Sequence, residues 1–198
     1  MRRQLPAAIL MLLVMTILTG VLYPLVVSGI ARAAFPSRAN GSMITSSGRV
    51  VGSSLIGQSF SDAKGNPLPR YFQPRPSAAG QNGYDPTASG GSNLGPSNPK
   101  LLSTVADRVA AYRAFNGLAA DARVPIDAVT ASASGLDPDI SLAKALDQAP
   151  RVARARGLDV GRVIALVKAH LQGRAWGFLG ENTVNVLLLN LALDGVSR

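Results

Sequence analysis

No charged side chain occurs between Gln4 and Ala31, and the run from Ala7 to Ile30 consists mostly of Ala, Ile, Leu, Met and Val. A soluble surface helix keeps one face wet, so an apolar stretch of this length with no polar stripe does not suit a small aqueous core. At about 1.5 Å of rise per residue, roughly 20 residues cross the ~30 Å hydrocarbon layer of a bilayer, and this run is long enough to do so. The chain therefore reads as a short basic tail over residues 1–4, a transmembrane helix over 5–30 and a soluble domain over 31–198. Ala7, Leu12 and Leu18 belong to the anchor, Gly20 with Ser28 and Gly29 permits close approach of a partner helix, and Tyr23 suits an interfacial belt. Pro24 is expected to bend or end the regular helix. A cleaved secretory leader is the alternative, because Ala31-Arg32-Ala33 follows an apolar stretch preceded by Arg2 and Arg3. Such leaders have an apolar region of only about 7–15 residues, which favours a retained anchor.

Orientation follows from the flanks. Arg2 and Arg3 on one side nearly balance Arg32 and Arg38 on the other, and a short basic tail before a first span stays in the cytoplasm. This places the bulk of the chain outside the cytoplasm. The low share of charged residues, 16 %, against about 25 % in an average soluble protein, agrees with part of the chain lying in lipid. The 198 residues allow one ordinary domain plus an appendage. With no cysteine, disulfides, thiolate metal sites, cysteine nucleophiles and lipid-modified cysteines are excluded. The net charge of +9 is scattered, sparsely interleaved with aromatics and attached to no nucleic-acid motif, so nucleic acid is not an expected partner.

From Phe35 to Pro99 the sequence is rich in Gly, Ser, Asn and Pro with short apolar pieces, among them Arg49-Val50-Val51 and Ser54-Leu55-Ile56-Gly57. These predict short strands joined by turns, with Asn40-Gly41 as one tight-turn pair. Asn98 followed by Pro99 predicts a helix over about 99–115. Asp137-Pro138-Asp139 repeats that signal and predicts a second helix to about Ala149, where Pro150 kinks or restarts it. Asp159 caps a third over about 160–172, with Val163, Leu166, Val167, His170 and Leu171 on one stripe. In the last run Leu187, Leu189, Leu191 and Leu193 share one parity, which predicts a closing strand. The expected class is α+β: one N-terminal transmembrane helix, then one mixed α/β domain with short strands first, about three helices and a closing strand.

Few residues carry recognisable chemistry. No P-loop and no Gly-x-Ser-x-Gly elbow occurs. Ser89–Pro96 could offer backbone N–H groups to an anion, although an ordinary surface loop explains it better. His170 is the only histidine and reads as a core-boundary residue; without a second histidine or any cysteine, zinc has too few soft ligands. Glu181 is the only glutamate and has no acidic neighbour in sequence to form a carboxylate pair. Thr130–Gly135 reads as a turn leading to Asp137. Arg151 and Arg154 fall at i and i+3 and suit a partner carboxylate or phosphate, with a solvated face as the plainer reading. No catalytic and no metal-binding residue is assigned.

Several strings are more specific than this chemistry. They include Gly20-Val21-Leu22-Tyr23-Pro24-Leu25, Gly52–Phe60, Tyr71-Phe72-Gln73-Pro74-Arg75-Pro76-Ser77-Ala78, Ala88–Pro96, Val129–Asp137, Pro150–Arg156 and Val184–Leu191. Together and in this order they resemble the KdpC family, one of the components of the bacterial high-affinity potassium-transporting P-type ATPase known as the Kdp system, over nearly the whole chain. The resemblance implies a single-pass protein of the bacterial cytoplasmic membrane. Its implied partners are a channel-like potassium-binding subunit, a P-type ATPase catalytic subunit and a small single-span subunit. It also implies a non-catalytic role in assembly and as a catalytic chaperone that raises the ATP affinity of the catalytic subunit, with no cofactor of its own and ATP met only through the complex. Gln148, read as a helix-surface glutamine just before Pro150-Arg151-Val152, is the nucleotide-contact candidate, and Arg75, Asn93 and Arg151 are candidate partner contacts. A domain outside the cytoplasm confines any effect on ATP to allostery; a tethered module contacting ATP directly is the alternative.

Overall fold

The computed structural model describes residues 4–196. The chain divides into two compact units, one ending at Ser53 and one beginning at Ser54.

The first unit is led by a continuous helical stretch from Gln4 to Ala34, with no residue of its most apolar window buried in the protein. Its segments are α1 (Gln4–Ile17), a π-helical turn (Leu18–Leu22) and α2 (Tyr23–Ala34). At about 1.5 Å per residue the 31 residues exceed the ~30 Å needed to cross a membrane. Pro24, expected to bend or end the helix, does not end the helical stretch, which runs on to Ala34, although the regular α-helix is interrupted just before it. It lies in the first turn of α2, directly after the π turn, and widening that turn relieves the clash between its ring and the preceding helical backbone. A short α3 (Pro36–Ala39) follows, then a hairpin of β1 (Met43–Ser46) and β2 (Arg49–Ser53). Asn40-Gly41 is the turn that leaves α3; the hairpin itself turns at Ser47-Gly48, both with positive φ, as a two-residue turn matched to strand twist requires.

In the second unit, residues 54–98 contain no regular strand, and Ser54–Gly57 forms a turn and an isolated bridge rather than a strand. Helix α4 (Pro99–Asn116) starts where expected, with the Asn98 side chain accepting from the Lys100 N–H and Gly117 closing it in the left-handed region. A single turn, α5 (Ile126–Val129), precedes β3 (Asp139–Ser141), α6 (Leu142–Arg156), α7 (Val160–Ala169), β4 (Leu171–Gln172), β5 (Thr183–Asn185) and α8 (Val186–Val196). The last three strands form an antiparallel sheet in the order β3-β5-β4. The apolar core joins Phe72, Ile140 and Val184 to Ala145, Ala149 and Val152 of α6, Val163 and Val167 of α7, and Leu189 and Leu193 of α8.

Three expectations are corrected here. Asp137 does not cap a helix: its carboxylate accepts from Asp139 N at 3.0 Å and sets up β3, while Ser141 caps α6 by accepting from Lys144 N at 3.1 Å. The helix does not stop at Ala149 and restart at Pro150: Pro150 stands inside one helix that runs on to Arg156. The run from Leu187 to Asp194 is helix, not strand. Leucines crowd both periods in that run, and the buried positions Val186, Leu187, Leu189, Asn190 and Leu193 fall on one side of a helix and, with two adjacent pairs among them, fit no alternation. Asn185 also marks the helix start, its side chain accepting from Leu188 N at 3.1 Å.

Candidate functional site

Residues 69–76 belong to no helix or strand, yet they cross the core beside Phe72. Buried main-chain groups need hydrogen-bond partners, and without a neighbouring strand the partners must be side chains. Asn190 of α8 accepts from Phe72 N at 2.9 Å and donates from Nδ2 to Phe72 O at 3.0 Å. Gln148 of α6 repeats the arrangement one residue later, accepting from Gln73 N at 2.7 Å and donating to Gln73 O at 3.2 Å. Lys144 donates from Nζ to Pro74 O at 2.8 Å and to Asp127 O at 3.1 Å. Arg151 donates to the carbonyls of Pro69 and Tyr71, and Arg156 to that of Arg70. Lys144, Gln148 and Arg151 lie at i, i+4 and i+7, so one stripe of α6 grips this strap while the adjacent Ala145, Ala149 and Val152 stripe enters the core.

The grip is cationic and dry. Lys144 is 2 % exposed and Arg151 7 %. Burial pulls the Lys144 ammonium down to about 7, against the opposing pull of Asp127. It pulls Arg151 to about 10, which leaves the guanidinium charged at neutral pH. That charge rests on carbonyl and amide oxygens, including Asn116 Oδ1 at 2.9 Å and Gln148 Oε1 at 2.8 Å, and on the Phe115 ring, whose centroid lies 4.3 Å away. Burial likewise raises the Tyr112 hydroxyl well above its ordinary range, with nearby Asp147 adding to the effect.

The next stretch is fixed by three crossing loops. Arg75 pairs with Asp137 at 2.9 Å, and Tyr84 donates to Arg75 O at 2.6 Å. Ser77 donates to Gly135 O at 2.6 Å and accepts from Tyr84 N at 2.8 Å, while Gly90 N donates to Ser134 O at 2.9 Å. Gly135, at φ +67, has no room for a side chain: a Cβ would stand 2.7 Å from both Ala79 N and Gly90 O. Beside this crossing a cleft of 490 Å³ is lined in part by Arg75, Asp127, Asp137, Asp139 and Glu181. Burial raises the Asp139 carboxyl, and the Asp137 charge adds to the rise. Among the described residues no group of three His, Cys, Asp or Glu side chains is arranged to hold a metal ion.

Gln148 and Arg151 are therefore bonded to each other, whereas Arg75 is engaged with Asp137 and Asn93 stands exposed in a loop at φ +52. Two surface readings are corrected. Gln148 is 1 % exposed with both amide atoms bonded, and Arg151 turns inward while Arg154 is exposed, so that pair does not share a solvated face. The strap's own carbonyls and N–H groups are what draw both residues inside. Ala7, Leu12, Leu18, Gly20, Tyr23 and Pro24 all lie on the exposed N-terminal helix. His170 is half-buried at the end of α7 with Nδ1 2.9 Å from Leu166 O. Sequence reasoning missed Lys144 and Asn190; the available signal was a polar residue at helical spacing within an apolar stripe.

The family model for KdpC, the K+-transporting ATPase c chain, matches residues 5–195. The potassium-transporting ATPase KdpC subunit of Mycobacterium tuberculosis is 56 % identical over 194 residues, covering 98 % of this chain and 99 % of the relative. The proteins of the same name from Geobacter sulfurreducens and Methylibium petroleiphilum are 54 % and 53 % identical, covering 97 % and 98 % of each chain. The match takes in the N-terminal helix, the strap and α8 to within one residue of each described end, and the chain belongs to the KdpC family of K+-transporting ATPase subunits.

Proposed function

We propose that this chain is a non-catalytic accessory subunit of an ATP-driven potassium uptake complex in the bacterial cytoplasmic membrane, required for its assembly and for raising the ATP affinity of its catalytic subunit. The observation that carries this reading is the family match from residue 5 to residue 195, anchor helix included. The partners are the channel-like potassium-binding subunit, the P-type catalytic subunit and the small single-span subunit. The domain lies outside the cytoplasm, and its effect on ATP is allosteric, by favouring one state of the complex. The internal bonding of Gln148 supports this over direct contact, since reaching a nucleotide would require breaking its bonds to Gln73.

The chain lacks cysteine and Ser97 is exposed in a turn, so Ser97→Cys gives one labelling site. In intact cells expressing the complex, a membrane-impermeant thiol reagent should label it. Labelling only after lysis would reverse the topology and make direct nucleotide contact the leading mechanism.

A further inference from the structure

The π turn in the N-terminal helix changes which main-chain groups are paired. An α-helix sends each N–H to the carbonyl four residues earlier, and a π turn sends it five earlier. Tyr23 N accordingly donates to Leu18 O. The Thr19 carbonyl thereby loses its four-residue donor, and its five-residue donor would come from position 24, a proline with no N–H. No side chain among the described residues takes their place; the Thr19 hydroxyl itself donates to Met15 O at 2.6 Å. Thr19 is also the central residue of the 31-residue stretch Gln4–Ala34. In hydrocarbon a backbone group must be paired, and an unpaired one is costly. The main chain is bare at this point as well: Gly20 follows, and a Cβ added there would meet nothing nearer than Thr16 Cγ2 at 4.0 Å.

We propose that Thr19 O and the gap beside Gly20 receive a transmembrane helix of another protein of the K+-transporting ATPase, one that presents a side-chain O–H or N–H donor at mid-membrane depth. This rests on the accessory-subunit reading above and on the helix spanning the membrane. The unpaired acceptor dictates the chemistry of the occupant. Acyl chains carry no donor, so lipid alone leaves the carbonyl unpaired. Water is held in apolar surroundings only where about two to four polar groups enclose it, which the outer face of a lone helix does not do. A second copy of this helix would bring a second surplus acceptor, and its Thr19 hydroxyl is already spent on Met15 O. A helix of a different chain is free of that symmetry, and glycine is where helix backbones approach closely enough for such a bond.

One amide in the chain reports on this directly. Thr19-Gly20 is the only Thr-Gly pair in the sequence, so carbonyl-13C threonine combined with 15N glycine selects the Thr19 carbonyl by solid-state NMR. Its signal moves downfield when it accepts a hydrogen bond. In phosphatidylcholine vesicles the full chain alone should give an upfield signal, and the reconstituted complex a downfield one. Pro24→Ala lets a regular helix pair the carbonyl, so this variant alone should already be downfield, and recovery of its detergent-solubilised complex should fall about threefold. Gly20→Leu fills the gap and keeps Pro24; it should lower recovery at least as much while the variant alone stays upfield. A photoreactive side chain in place of Leu13, two turns earlier on the same face as Gly20, should cross-link to another subunit. The inference is overturned by a parent signal in vesicles that matches that of Pro24→Ala, which would make water or a second copy the donor, or by one that does not move on assembly. Undiminished recovery of either variant overturns it too, as does cross-linking only between copies of this chain. A parent chain that does not co-purify with the other subunits overturns the accessory-subunit reading and this inference with it.

Discussion

The strap over residues 69–76 and the β4–β5 loop over residues 174–181 invert the usual partition of side chains in opposite ways. Around the strap, lysine, arginine, glutamine and asparagine are buried; on the loop, Trp176, Phe178 and Leu179 are exposed. The difference lies in where each backbone finds its hydrogen bonds. The loop closes its own turn, so its side chains are free to face outward. The strap has no partner strand, and five side chains from α6 and α8 must supply what a ladder would have supplied. Burial here follows backbone satisfaction rather than side-chain polarity.

Breaking the strap should have the largest effect on stability. Gln148→Leu leaves the Gln73 N–H and C=O unpaired and removes an acceptor from Arg151, so a loss of about 2–6 kcal/mol is expected, at the cost of ~1–3 kcal/mol for each of the two buried orphan groups. Chemical denaturation of the full chain in detergent measures it. A loss below about 1 kcal/mol would mean that the strap is held mainly by Phe72 packing.

Lys144 sharpens the comparison through pH. Its folded value, about 7, lies below its ordinary value of 10.5, so between these the unfolded chain binds more protons than the folded one. Stability therefore rises with pH across this window, with a slope of at most about 1.4 kcal/mol per pH unit, and the full penalty of the buried charge is present below about pH 7. Denaturation midpoints of the parent should increase from about pH 7.5 to about 9.5, and those of Lys144→Met should lack that increase. Above about pH 10 the trend should reverse, because burial keeps Tyr84 and Tyr112 protonated in the fold after they ionise in the unfolded chain.

The smallest effect belongs to the ion pair at the base of the β4–β5 loop. Arg174 and Glu181 are 46 % and 84 % exposed, so water and salt screen their attraction and Arg174→Ala should change stability by less than about 0.5 kcal/mol. Thermal melting of the isolated chain checks this. A larger drop would show that the pair, rather than the backbone bridge between Ala175 and Leu179, holds the turn closed.

Local signals decided the parts that were legible in the sequence. Hydropathy alone located the N-terminal helix, because its apolar run is unbroken by charge and needs no tertiary partner to be recognised. Asn98-Pro99 and Asp159 placed the starts of α4 and α7 through bonds within three residues of each cap. Local signals also misled: Asp137-Pro138 has the form of a helix start, yet Asp139–Ser141 pairs with β5 more than forty residues on and delays the helix to Leu142.

What the sequence determined by itself was the long apolar N-terminal helix, the mixed class of the domain and its membership of a family, since these rest on composition, nearest neighbours and ordered strings of residues. Only the tertiary structure decided that Leu187–Asp194 is a helix, that Gln148 and Arg151 face inward, and that Trp176 faces out. In each case the residue accepts either environment on its own terms. The deciding factor was an unpaired backbone group, or the lack of one, brought beside it by contacts across as many as 118 residues of chain.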